Sequence, residues 1–310
     1  LQEKLKWMEE MYSLIKIHTM QEKQILLRET FNEQYTLVIE SEINGVDVYV
    51  TSKVQLRFDF HVLKIEKDYI EIRLVQLDNK LLETNSPMVK EVAVISQVFG
   101  RMYNELHLTL DHSGKVISVL NYDLILSKWK QTKAEMDQHI AGNPDLQQAI
   151  ILNDNIFTDP EKIKIAVQAN EFFTVYFGSI FGINLPASKS IPGTNIFNTA
   201  NITWNMKIEA PVYLSHLSES IRVSTKFLPK DSFTSGFHNT AYKQFEDKIN
   251  INNLNVKLEQ TETRQIDFSK GKLEKATISK LEIADEKKLY NIVNYSMLSD
   301  SEQRNEQKTI

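Results

Sequence analysis

"YTLVIESEINGVDVYVTSKVQLRFDFHVLKIEKDYIEIRLVQLDNKLLE", residues 35–83, decides the fold. It is rich in Val, Ile, Tyr and Phe, and apolar residues alternate with polar ones. Successive side chains of a strand point to opposite faces, so period two over this length means pleated ribbon with one covered face and one wet face. Asn44-Gly45 falls between apolar runs and is a strong hairpin signal. Lys67-Asp68 marks a second turn. Beyond it, Ile70, Ile72 and Leu74 face one way, and Glu71 and Arg73 the other.

Ser86-Pro87 opens a helix, with Ser as cap and Pro at the first position. Met88, Val92, Ile95 and Phe99 form its apolar stripe, and Gly100 stops it. "NELHLTLDHSGKVISVLN", residues 104–121, is a hairpin. Leu106, Leu108 and Leu110 alternate with His107 and Thr109, then Val116, Ile117 and Val119 resume the strand. The turn Asp111-His112-Ser113-Gly114 ends on glycine, where a positive φ is expected. His107 belongs on the polar face and His112 at the tip.

Residues 123–153 and 160–182 read as helices. Trp129, Met136 and Ile140 mark one face. Asp159 caps a second helix, with Pro160 at its first position and Glu161 in its first turn. "NLPASKSIPGTNIFNTAN", residues 184–201, reads as a long loop. Strands return in "ITWNMKIEAPVYL", "SESIRVSTKFLP" and "RQIDFSKGKLEKATISKLEI", the last turning at Ser269-Lys270-Gly271. The expected fold class is α+β. Antiparallel, curved, half-barrel-like sheet portions come from residues 35–120 and 200–290, as one sheet or two lobes, with central helices between them. The chain divides into a helical segment 1–34, a lobe 35–183, the loop 184–201, a second lobe 202–298 and a frayed polar tail 299–310. In the N-terminal helix, Leu5, Met8, Tyr12 and Ile15 share a face. That face packs on the rest of the protein or is offered to a partner or a second copy.

Composition narrows the chemistry. The 310 residues are 42% apolar and 25% charged, enough to bury a sizeable core. With 36 basic and 41 acidic residues the net charge is −5, which gives no broad attraction to nucleic acid. No cysteine occurs, so disulfides, thiolate catalysis and cysteine zinc sites are excluded. No run reaches the roughly 18–20 apolar residues of a spanning helix. The chain as it stands reads as cytoplasmic, or as periplasmic or envelope-located if an upstream signal has been removed. P-loop, dinucleotide, G-x-S-x-G and H-E-x-x-H motifs are absent. The seven histidines form no metal-binding pair, and "LNDNIFTDPEKI" lacks the intervals and glycine of a calcium loop. No catalytic residue, metal or cofactor is assigned.

The aromatic group Phe172, Phe173, Tyr176, Phe177 and Phe181 has two readings: a helix buried on most sides, or the wall of an apolar cavity with residues 184–201 as its lip. Trp204 lines the same space or fills core. The cavity residues are therefore Phe173, Tyr176, Phe177, Phe181 and Trp204.

"LHLTLDHSGKVISVLNYDLI", "NITWNMKIEAPV" and "RQIDFSKGKLEKATISKLEI" together resemble a Bacteroidota group of β-rich envelope proteins, often lipoproteins, over roughly residues 35–290. The resemblance implies a sheet-based, non-enzymatic protein and transfers no catalytic residues. The chain departs from the group in its charged N-terminal segment and in lacking a lipid-bearing cysteine. The function expected is burial of an apolar ligand or a protein partner against a sheet-and-helix surface. The alternative is a structural or assembly component of a bacterial envelope or secretion apparatus that uses the N-terminal helix, with possible homo-oligomerisation. A hydrolase-type enzyme is the third.

Overall fold

The computed structural model describes residues 23–137, 144–211 and 220–308. Leu5, Met8, Tyr12 and Ile15 lie outside the described residues. Eleven strands form one antiparallel sheet, in the order β5-β4-β3-β2-β1-β11-β10-β9-β8-β7-β6. Strands β1 (Phe31–Gly45), β2 (Tyr49–Ile65), β3 (Ile70–Thr84), β4 (Glu105–Leu110) and β5 (Val116–Val119) make one meander. Strands β6 (Ala187–Thr194), β7 (Asn201–Glu209), β8 (Ser220–Pro229), β9 (Lys257–Asp267), β10 (Lys272–Asp285) and β11 (Leu289–Ser299) make the other.

This corrects the α+β expectation of half-barrel-like sheet portions from residues 35–120 and 200–290: the two regions form one β-dominated sheet, the first of the two arrangements left open. The first strand pairs with the last along its length, from Tyr35 opposite Ser299 to Gly45 opposite Leu289. That seam turns two meanders into one open, β-dominated sheet. Neither β1 nor β11 carries a mark of its partner: β1 reads as an ordinary alternating strand, and residues 289–299 do not stand out as a strand in the sequence.

One face of the sheet is covered. Tyr35, Leu37, Phe58, Phe60, Ile72, Leu74, Leu106, Leu108 and Met297 are all at most 1% exposed. Each such side chain contributes roughly 1.5–3 kcal/mol by leaving water. The cover follows from topology. β5 and β6 are opposite edges, so the chain between them must travel from one edge to the other. It does so as α2 (Tyr122–Asp137), α3 (Pro144–Phe157), α4 (Pro160–Gln168) and α5 (Glu171–Tyr176). Asp159 Oδ1 accepts from Glu161 N at 2.9 Å to start α4, as its sequence signals. Asn170 then caps a new helix, so 160–182 is broken where the sequence reads as continuous.

Four further differences bear on the site. The expected loop 184–201 contains β6, whose Ile191 pairs with Trp204. Strand β6 includes Pro192 and Gly193, breakers that are tolerated at a sheet edge. The expected tail 299–310 contains α7 (Asp300–Lys308). Residues 31–34 open β1, so the helical segment 1–34 does not extend through them. Helix α1 (Pro87–Gly100) is capped by Ser86 as expected, yet none of its residues is buried. Met88, Val92 and Ile95 of its stripe are exposed. A remaining short helix, α6 (Ser235–Ala241), belongs to a small second cluster around Tyr242, Leu289 and Ala284.

Candidate functional site: an aromatic cleft on the covered face

Helix α5 lies across the sheet and presents two sides. Phe172 and Tyr176 turn toward β1 and β2, where Phe172 meets Phe58 and Phe60 at 5.1 Å between ring centroids. Tyr176 meets Phe60 at 5.0 Å, and its hydroxyl accepts from Leu273 N at 3.2 Å. Burial pushes the Tyr176 phenol well above its ordinary pKa, so it stays neutral.

The other side of α5 faces the β6–β9 edge across an open cleft of about 570 Å³. Phe173, Thr174 and Phe177 form one wall. Ile191, Trp204, Phe227 and Gln260 form the other. Trp204 is held in place by its indole N–H, which donates to Thr194 O at 3.2 Å, and by an edge-on contact with Phe227 at 6.4 Å. Three of the five residues expected to line a cavity thus meet here: Phe173, Phe177 and Trp204. Tyr176 and Phe181 do not line the cleft. Their rings meet at 5.8 Å in a tilted contact inside the core.

Polar groups flank the cleft floor. Glu262 and Arg264, on β9, are 5% and 1% exposed at their side chains and form an ion pair. Arg264 also donates from Nε to Val175 O at 2.9 Å and from Nη2 to Thr174 O at 3.2 Å. These carbonyls lie at the end of α5, so the guanidinium locks the helix to the sheet while neutralising Glu262. The next polar group on this face is Lys280 of β10, directly opposite Gln260. Burial pulls its ammonium below the ordinary lysine pKa, while Glu262 and Glu171 act in the opposite direction. Thr225 Oγ1, opposite Glu262, is buried with no hydrogen-bond partner among the described residues.

Sequence reading missed Phe227, Gln260, Glu262, Arg264 and Lys280. One signal was present. In "LEQTETRQI", residues 258–266, neither face of the strand is apolar between Leu258 and Ile266. A strand that places Gln260, Glu262 and Arg264 together on a covered face is building a polar site or a buried pair.

The uncovered face has hollows too, and one reaches about 760 Å³. Asn205, Lys207, Ser224, Lys226, Thr261 and Thr263 line it together with Met206, Leu228 and Pro229, and it holds no aromatic ring, so it lacks the aromatic convergence of the cleft. His107 Nε2 lies 2.7 Å from Glu71 Oε1, and neither residue lines the cleft. His216 falls outside the described residues. No group of three or more potential metal ligands is found among the described residues. None of the described helices is long and apolar enough to cross a membrane.

No family model and no curated protein matches the chain. Among solved structures it is similar to one described as "lipid-protein interactions in lipovitellin", at 6% identity and a TM-score of 0.37. The match covers 87% of this chain and 25% of that one, so the chain spans about a quarter of its length.

Proposed function

We propose that this protein is a non-enzymatic binding protein that takes the apolar part of a small ligand into the cleft between α5 and the β6–β8 edge. One observation carries the reading. Phe173 and Phe177 from the helix, and Trp204 and Phe227 from the strands, converge on an open hollow of about 570 Å³. That size and lining fit a small-molecule site. The resemblance to β-rich envelope proteins implies the same non-enzymatic class.

Magnitudes limit what apolar burial alone achieves. A ten-carbon chain gains about 8 kcal/mol at about 0.8 kcal/mol per buried methylene. Association costs roughly 4–15 kcal/mol in lost freedom and ordering. A purely apolar ligand therefore binds weakly, and a polar anchor decides whether binding is useful.

Titration with N-phenylnaphthylamine, a neutral fluorophore, tests the cleft. Saturable emission enhancement is expected. Ile191→Glu is expected to weaken it at least about tenfold, measured below the melting temperature of the variant so that the fold is kept. This variant puts a carboxylate against the apolar wall from an edge strand without emptying the core. Absence of saturable binding, or equal affinity in the variant, defeats the reading.

A further inference from the structure

We propose that the ligand of this cleft is a long-chain carboxylate, and that Lys280 pairs with its head group while the chain lies among Phe173, Phe177, Trp204 and Phe227. The inference rests on the apolar-cleft reading and names the chemistry of its ligand.

The starting point is a charge without a counter-ion. Among the described residues, the other buried charges on the covered face are paired with an opposite charge or held by several hydrogen bonds. Arg264 neutralises Glu262. Lys272 neutralises Glu33 at 2.9 Å. Glu282 accepts from Tyr242 OH, Asn195 Nδ2 and Phe197 N at 2.7, 2.9 and 3.0 Å. Lys280 is different. Its ammonium lies 5.3 Å from the centroid of the Tyr295 ring, and no described carboxylate comes within ion-pair distance of it. Two acidic groups act on it from further away. Glu262 is fully engaged, with Oε2 held by Arg264 and Oε1 by Gln260. Glu171, in the first turn of α5, is exposed to water.

The second point is position. Gln260 lines the cleft, and Lys280 sits directly opposite it on the neighbouring strand. Side chains so paired emerge on the same face about 5 Å apart. A head group at Lys280 is therefore one strand from the aromatic walls, and a chain reaching from it enters the cleft past Gln260.

The third point is room. One row of the covered face runs through Arg264, Ala276, Met297 and Leu37, and all are at most 1% exposed. In the next row Glu262 and Ile278 are still buried, at 6% and 2%, whereas Tyr295, Ile39 and Val54, with Val293 and Lys280 beyond them, are only half-buried. Among the described residues the helical cover stops short of this strip, and Lys280 is partly exposed. One uncompensated cation beside an apolar cleft matches a ligand with one negative charge and an apolar chain. A neutral ligand leaves the ammonium desolvated without a partner, and a cationic one is repelled.

Dansylated undecanoic acid and its methyl ester share chain and fluorophore and differ only in charge. Titrated into the full chain, the acid is expected to bind about tenfold more tightly than the ester. Lys280→Met is expected to abolish that preference and leave ester affinity unchanged. Lys280→Arg is expected to retain it, which separates charge pairing from damage to the fold. Equal binding of acid and ester to the wild type, or persistence of the preference in Lys280→Met, overturns the inference while the cleft reading stands. If neither probe binds, both fall.

Discussion

Gly271 illustrates how one residue joins distant parts of this chain. It turns between β9 and β10 at φ +70°, a conformation that glycine adopts at little cost. A Cβ at this position would meet Leu26 O at 1.7 Å, because the segment before β1 runs directly over the turn. Arg28 fixes that crossing. Its backbone N–H donates to Lys270 O at 2.9 Å, and its guanidinium donates to Phe268 O at 2.6 Å. Gly271→Ala is therefore expected to cost about 2 kcal/mol or more, measured by urea unfolding. A change within a few tenths would mean that the strap is not in place. Arg264 makes the sharper case. Arg264→Met leaves Glu262 charged and buried, and releases two carbonyls of α5. The expected loss is about 3–5 kcal/mol. A loss below about 1 kcal/mol would show that water reaches the pair. In the sequence the glycine turn was readable, but the strap over it was not. A positive φ is a local demand, whereas the crossing by Leu26 depends on residues some 240 positions away in the chain.

Helix α1 shows that a sequence pattern can define an element and still misplace it. Its cap and its stripe of Met88, Val92, Ile95 and Phe99 are legible, and the helix forms where they say. Yet only its end packs: Phe99 meets Trp129 at 6.1 Å between ring centroids, while Met88, Val92 and Ile95 stay exposed, so hydrophobic spacing meant packing for just part of the stripe. Val92→Gln and Ile95→Gln are accordingly expected to change stability by no more than about 0.5 kcal/mol each. A larger loss would reveal a contact that the described residues do not make. Helix α7 is the converse: a polar stretch expected to fray that is pinned at its start. Ser301 donates to Glu33 from both backbone and side chain, Lys272 pairs with the same carboxylate, and Arg57 reaches Asp300 at 3.2 Å. Burial raises the Glu33 pKa, but bonds from Ser301 and Lys272 outweigh it and hold the group below the ordinary carboxylate value. A depressed native pKa contributes stability above the unfolded-state pKa, and that contribution is lost as pH falls through the native value. Glu33→Gln should thus flatten the decline in stability below about pH 5, as read from urea melts across pH. An unchanged slope would assign the acid sensitivity to other carboxylates.

At the scale of the whole molecule, the seam between β1 and β11 is the decisive feature. Every interior strand of a sheet uses its backbone groups on both sides, so a break at the seam exposes the edges of both meanders. Ser296→Pro removes a donor from β11, which lies between β1 and β10, and is expected to cost about 3 kcal/mol or more. Trp129 under the helical cover and Trp204 on the β7 side of the sheet belong to one continuous core. In a Trp7→Phe background, which leaves Trp129 and Trp204 as the two remaining tryptophans, Trp129→Phe and Trp204→Phe variants should therefore report nearly the same thermal midpoint from the fluorescence that remains. Two well-separated midpoints would mean that the meanders unfold independently. The sequence alone determined most of the strands and their turns, the helices capped by Ser86 and Asp159, and the absence of cysteine chemistry, because alternation, glycine turns and caps act within a few residues. It also drew attention to Phe173, Phe177 and Trp204. Only the tertiary structure decided that the two strand-rich regions share a sheet, that α5 opens one side to the β6–β8 edge, and that Lys280 comes to rest beside Gln260. These depend on which strand pairs with which and on where a cover ends. Such choices are set by burial summed over the whole chain, and no single stretch of sequence records them.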